Sequence, residues 1–192
     1  MSRLRNGDLL LIDAGAECDH YAADITRTFP ISGRFTKPQK QLYELVLDAQ
    51  LAAIEKVRPG IAWDQSHEVA IEVLTAGLVD LGILQGDVSA LIADEAYKPF
   101  YMHRIGHWLG MDVHDVGEYK IEGKWRLLEP GMVLTIEPGL YIPEDCQEVS
   151  AKWRGIGIRI EDDILVTNDG CEVLSSSAPK TVQDIEALMR VN

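Results

Sequence analysis

Long apolar runs are missing from this sequence, and so are basic runs and cysteine pairs. No stretch approaches the ~20 consecutive apolar residues of a bilayer-spanning helix. The apolar run near the start, within "MSRLRNGDLLLIDAG", is four residues long and is cut by Asp13, so no secretory signal is expected. Lys and Arg form no cluster, and the formal net charge is -13. Such a chain repels nucleic acid and anionic membrane surfaces, and neither is an expected partner. The three cysteines, Cys18, Cys146 and Cys171, show no CxxC spacing. A disulfide framework or structural zinc site is therefore not expected, and a reducing cytoplasm is the expected compartment. Short-period repeats and low-complexity tracts are absent too. What is there is ordinary globular material: 192 residues, 46% hydrophobic and 26% charged. That suffices for one sizeable core or a tight pair of subdomains.

Periodicity sorts the chain into elements. "GDLLLIDAGAE" and "HYAADITRTFP" read as two strands, joined by a two-residue turn at Cys18-Asp19. Apolar residues at 42, 45, 46, 49, 52, 53 and 57 form a helical stripe, with Pro38 near its start and Pro59-Gly60 beyond its end. A second helix is expected over 64–81, with Asp64 as N-cap and Gly82 as its stop. "GDVSALIADEAY" predicts a short third helix, and residues 100–118, rich in Gly and His, resist assignment. "MVLTIEPGLYI" reads as a strand pair or one bent strand. Residues 156–167 and 171–174 read as a hairpin around Asn168-Asp169-Gly170. A capping box from Thr181 to Asp184 opens a last helix, "VQDIEALMRV". Strands, then helices, then strands predict an α+β fold: an antiparallel sheet with helices on its outer face.

The segment "GIGIRIEDDILVT", residues 155–167, places charge inside an apolar strand. Alternation points Ile156, Ile158 and Ile160 one way, and Gly157, Arg159 and Glu161 the other. A solvated sheet face is one reading of the polar side. Three other strand segments repeat the anomaly. In the hairpin register of the first two strands, Asp13 faces Asp24, which is destabilising unless something positive lies between them. Glu137 ends the otherwise apolar face of Val133 and Thr135, although a Glu before Pro-Gly also suits a turn. "MHRIGHWLGMDVHDVG" brings His103, His107 and His114 close together in sequence, but Gly106 and Gly110 argue against a regular helix there.

Together, Asp13, Asp24, Glu137 and Glu161 put four carboxylates on strands that otherwise read as core. Buried without cations, such groups would each cost several kcal/mol or stay protonated. Two divalent cations would balance them. An imidazole from the 103–114 cluster would complete an oxygen-rich site suited to Mn²⁺, Co²⁺ or Zn²⁺. Two such ions ~3.5–4 Å apart make a hydrolytic centre. Arg159, on the face of Glu161, is placed to hold a ligand carboxylate.

At these residues the sequence resembles the catalytic domain of a bacterial Xaa-Pro aminopeptidase (aminopeptidase P). This is a member of the pita-bread metallopeptidases, with prolidase, creatinase and methionine aminopeptidase. "LIDAG...DITRTFP", "HRIGHWLGMDVHDVG", "LEPGMVLTIEPGLYI" and "RGIGIRIEDDILVT" carry the resemblance in order, over essentially the whole chain. It implies a pita-bread fold with a curved antiparallel sheet, and two divalent ions, Mn²⁺ as the usual activator. It implies that Asp13 chelates one ion, that Asp24 and Glu161 bridge both, and that His107 and Glu137 bind the other. It further implies that His103 and His114 line the substrate pocket, that Arg159 orients site carboxylates, and that Trp108 packs structurally. The implied reaction is release of the N-terminal residue from peptides with proline second, by a metal-bridging hydroxide. Prolidase activity on dipeptides, or a non-catalytic peptide- or protein-binding module, are the alternatives. By the same resemblance, residues 1–192 are expected to be a C-terminal catalytic domain incomplete at its N-terminus. An N-terminal domain, the opening elements and a histidine hydrogen-bonding the tetrahedral intermediate would lie outside the sequence. The sheet edge left open makes a homo-oligomer the expected state.

Overall fold

Residues 3–190 are described by a computed structural model. In chain order the elements are β1 (Leu9–Ala14), β2 (Glu17–Cys18), β3 (Tyr21–Ala22), β4 (Ile25–Pro30), α1 (Lys37–Lys56), α2 (Gln65–Asp80) and α3 (Val88–Ala93). Then follow β5 (Lys120–Ile121), β6 (Lys124–Trp125), β7 (Val133–Ile136), β8 (Gly139–Tyr141), β9 (Gly157–Arg159), β10 (Asp162–Val166), β11 (Cys171–Val173) and α4 (Val182–Leu188). The α+β class is as expected, and all strand pairings are antiparallel.

The helices form where the apolar stripe and caps place them. Thr36 caps α1 by accepting from the Gln39 amide, and Gln39 reciprocates on the Thr36 amide at 2.9 Å. The stripe Leu42, Tyr43, Val46, Ala49 and Ala53 is buried, and α1 packs it against β7, β8 and β9 on one side and α2 on the other. Asp64 holds the N-cap position of α2, but its side chain makes no capping bond because its backbone is already helical. Gly82, at φ +72°, stops α2 as expected. Asp87 caps the short α3. Thr181 accepts from the Asp184 amide, while its hydroxyl donates to Asp184 Oδ2 rather than the Asp184 side chain reaching back. Val191 of the predicted last helix lies outside the described residues.

The first hairpin departs from its expected register. Its turn falls on Asp19-His20, both at positive φ (49° and 73°), and not on Cys18-Asp19. Two consecutive left-handed residues are what a tight two-residue hairpin turn needs to match strand twist. The shift sets Asp13 opposite Thr26 instead of Asp24, and Glu17 opposite Ala22. Because the slip is two residues, every side chain stays on its expected face. Asp24 precedes β4, and its amide donates to the Asp163 carboxylate at 3.2 and 3.3 Å.

The stretch 156–167 is not one strand. β9 pairs with β8, from Gly139↔Arg159 to Tyr141↔Gly157, and β10 pairs with β7, beginning at Asp162↔Ile136. The two ladders share a register and are separated by a gap, in which Glu137 falls opposite Glu161. There the Glu161 amide turns to Thr26 O, at 3.1 Å. β4 is held along β9 by Thr28, whose hydroxyl donates to Arg159 O (3.0 Å) and accepts from the Arg159 amide (3.3 Å). Residues 105–109, unassigned from sequence, run beside β7. Their carbonyls accept from the amides of Glu137 (Ile105 O, 2.7 Å) and Thr135 (His107 O, 2.9 Å). Only glycine fits at 106, where a Cβ would overlap Thr135 O. A further hairpin, β5–β6, was not anticipated.

Candidate metal centre

Each predicted ligand arrives on a different piece of this frame. Asp13 comes from the end of β1 and Asp24 from the entry to β4. His107 comes from the segment beside β7. Glu137 and Glu161 come from the gap between ladders. Ligating atoms of His107, Glu137 and Glu161 lie within 4.8 Å of one another, and so do those of Asp13, Asp24 and Glu161. Glu161 belongs to both groups, so the two share a corner. A third group joins Asp24, His107 and His114, and the His107 and His114 rings are 4.1 Å apart. His114, which the resemblance implies lines the substrate pocket, is exposed and lies beside the carboxylate cluster.

Hydrogen bonds aim these groups. His107 Nδ1 faces Trp108 O at 3.0 Å, and a carbonyl only accepts, so Nδ1 carries the proton. Nε2 then presents a bare lone pair to Asp24 Oδ2 at 3.3 Å and Glu137 Oε1 at 3.5 Å. Thr26 donates to Glu161 Oε2 at 2.5 Å, and Thr135 donates to Glu137 Oε1 at 3.3 Å. Arg159 pairs with Asp13 through Nη2 and donates to Thr26 Oγ1 through Nε at 3.2 Å. Thr26 and Thr135 were missed in sequence. Their signal was parity: Thr135 shares a strand face with Glu137, and Thr26 with Asp24.

The carboxylates resist ionisation together. Burial, then the other carboxylates nearby, pushes Glu161 up to about 9. Burial likewise lifts Glu137 to about 7, against the pull of Arg159. Asp24 rises to about 7 through burial and a hydrogen bond to Asp13 that exists only while one of the pair keeps a proton. Asp24 is 6% exposed and Glu161 1%. Acid oxygens and an unprotonated imidazole nitrogen converge, with the Arg159 guanidinium against Asp13 and Glu137 at the border. That donor set, oxygen-rich with one nitrogen and no thiolate, fits hard to borderline divalent cations.

A second chain of polar groups borders the cluster. Arg159 Nη1 donates to Tyr141 Oη (3.2 Å), which lies 2.9 Å from His103 Nε2. His103 Nδ1 is spent on Arg104 O at 2.8 Å, so Nε2 accepts the Tyr141 hydroxyl proton. Burial lowers the His103 pKa and favours this neutral form. Tyr141 was not singled out from sequence, although alternation from Glu137 through Gly139 places it on the site face. Trp108 turns away and packs on Trp63, 4.2 Å between ring centroids.

Fold and residue cluster are those of the pita-bread metallopeptidase class. Residues 1–168 match the metallopeptidase family M24 model, and the chain belongs to that family. The Xaa-Pro aminopeptidase of Haemophilus influenzae is 55% identical over 186 residues, which is 97% of this chain and 43% of the relative. The Escherichia coli Xaa-Pro aminopeptidase is 53% identical, over 97% of this chain and 42% of its own. Among solved structures, Pseudomonas aeruginosa aminopeptidase PepP superimposes with a TM-score of 0.97 at 63% identity, covering 98% of this chain and 42% of that one. Zinc-substituted Escherichia coli aminopeptidase P in complex with product gives 0.94 at 52%, with the same coverage. The chain thus spans less than half the length of these relatives.

Proposed function

We propose that residues 1–192 form the C-terminal catalytic domain of an Xaa-Pro aminopeptidase, which releases the N-terminal residue from peptides with proline in second position. One observation carries the reading: two carboxylate-rich groups share Glu161, and the bare Nε2 of His107 faces them. Its substrate class is carried over from the relatives. Asp13, Asp24 and Glu161 would hold one divalent ion, and His107, Glu137 and Glu161 the other, with Asp24 bridging as well. Mn²⁺ is the ion we favour, with Co²⁺ or Zn²⁺ as alternatives. Bound there, the ions would supply Lewis acidity toward water and the scissile carbonyl.

The chain's own residues do the rest. Thr26 and Thr135 each spend a donor on a glutamate and fix which oxygen is free. Arg159 steadies Asp13. The Arg159–Tyr141–His103 relay holds a neutral imidazole beside the cluster, with His114 on its other flank, and these two histidines would line the peptide's path. Open sheet edge supports self-association: β4 is the only described strand paired to β1, and Ile12 is 43% exposed. The three unpaired cysteines suit a cytoplasmic setting.

The test is release of the first residue from an Xaa-Pro-Yaa tripeptide, with Mn²⁺ and with chelator, beside an Xaa-Pro dipeptide. Chelator-sensitive cleavage of the tripeptide is expected. Cleavage of the dipeptide alone would favour prolidase activity, and Mn²⁺ binding without any cleavage would contradict the reading.

A further inference from the structure

Behind the cluster, on the opposite side of the sheet, lies a charged network with no part in the reaction as described. Arg27 is 5% exposed and Asp162 0%. Every N–H of the Arg27 guanidinium is used. Nε donates to Pro179 O (3.0 Å), Nη1 to Thr26 O (2.9 Å) and Glu161 O (2.6 Å), and Nη2 to Asp162 Oδ1 (2.7 Å) and Ala178 O (3.0 Å). Asp162 Oδ1 also accepts from Ser175 (2.6 Å), and Oδ2 from Lys180 Nζ (2.7 Å) and Gln50 Nε2 (3.0 Å). Gln50, on α1, reaches Ile136 O at 3.3 Å as well.

The endpoints matter more than the charges. Thr26, Glu161 and Ile136 are the residue that bonds Glu161, the residue shared by both ligand groups, and the residue before Glu137. They meet at the gap between the β8–β9 and β7–β10 ladders, where regular pairing stops holding the backbone. Stability alone is a poor account of the network, because buried ion pairs are commonly matched or bettered by apolar isosteres. An apolar isostere has no donor for those carbonyls. A fully satisfied buried network is also stiff.

We propose that Arg27, set by Asp162 and seconded by Gln50, is a positioning residue. Arg27 fixes the backbone at Thr26 and Glu161, and Gln50 fixes it at Ile136, so that the carboxylates converge before any cation arrives. This rests on the proposed cation site. Arg27 acts through its planar fork, which a lysine with the same charge does not reproduce.

Arg27→Lys therefore separates positioning from charge pairing. Circular dichroism establishes that the metal-free variant is folded, calorimetric titration gives its Mn²⁺ affinity, and Co²⁺ absorption reports ligand geometry. We expect Arg27→Lys to weaken Mn²⁺ binding by about 10–100-fold and to shift the Co²⁺ bands at a temperature where the protein is folded. Wild-type affinity together with an unchanged Co²⁺ spectrum overturns the proposal. If Arg27→Lys does not fold, Gln50→Leu, a neutral change that removes the donor to Ile136 O, carries the same test with the same two outcomes. Failure of the wild-type chain itself to bind Mn²⁺ would sink the cation site, whereas equal binding by wild type and variant sinks positioning alone.

Discussion

Glu137 stands opposite Glu161 in the gap between two ladders, and burial holds their carboxyls at about 7 and about 9. A pair of acids placed this way keeps protons when it lacks cations and gives them up when cations bind.

Stability without metal should therefore fall as pH rises. Asp24, Glu137 and Glu161 have folded pKa values raised above the ordinary 3.8 to 4.5. Their contribution is complete below that range and is lost as pH climbs through about 7 and then about 9. His67, His103 and His107 are shifted downward from 6.5, so they weaken the fold only in acid, below that value. Between pH 6.5 and 9 the carboxyls decide. Melting in chelator should show Tm falling across that window, and Mn²⁺ should abolish the fall. A flat chelated profile would contradict the burial account.

Asp24→Asn removes the charge of a residue common to the Asp13 group and the His114 group. Metal-dependent peptide release is expected to disappear, as read by single-turnover assay with Mn²⁺. Cys171→Ser is the matched control. Its thiol meets Ile54 O at 3.5 Å and nothing at the site, so the change should cost at most about 1 kcal/mol in a denaturant melt.

Much of this was legible before folding. Alternation alone assigned Ile156, Ile158 and Ile160 to the core and Arg159 and Glu161 to the other face, and the three isoleucines are buried. The apolar stripe between Pro38 and Pro59-Gly60 placed α1, and capping chemistry placed α4. Strand breaks were not legible, because Ile160-Glu161 continues the alternation smoothly while its hydrogen bonds change partner. Register was misread by two residues because Asp19-His20 and Cys18-Asp19 both lie in a polar turn, and only φ distinguishes them. Arg27 and Asp162 escaped notice for a related reason. Parity puts Asp162 on the isoleucine face, and only the fold shows the Arg27, Gln50, Ser175 and Lys180 donors that satisfy it there.

Thr26→Val keeps shape but deletes the donor to Glu161 and the acceptor for Arg159. Loss of such an outer partner should weaken Mn²⁺ affinity about tenfold or more in a calorimetric titration. Unchanged affinity would show that Glu161 is held by its backbone alone.

Tyr141→Phe cuts the relay from Arg159 to His103 and touches no predicted ligand. Mn²⁺ affinity should stay as in wild type, while kcat/KM for an Xaa-Pro-Yaa peptide falls by roughly tenfold, the equivalent of one buried hydrogen bond of ~1.4 kcal/mol. A loss of metal instead would move Tyr141 into the support of the cation site.

The most direct measurement is the Mn²⁺ stoichiometry of the purified 192-residue chain, taken by elemental analysis and by the magnetic coupling seen in its electron paramagnetic resonance spectrum. Two coupled ions per chain, lost with Asp24→Asn, is the predicted result. No bound ion, or isolated ions that survive Asp24→Asn, would contradict a shared site built around Glu161.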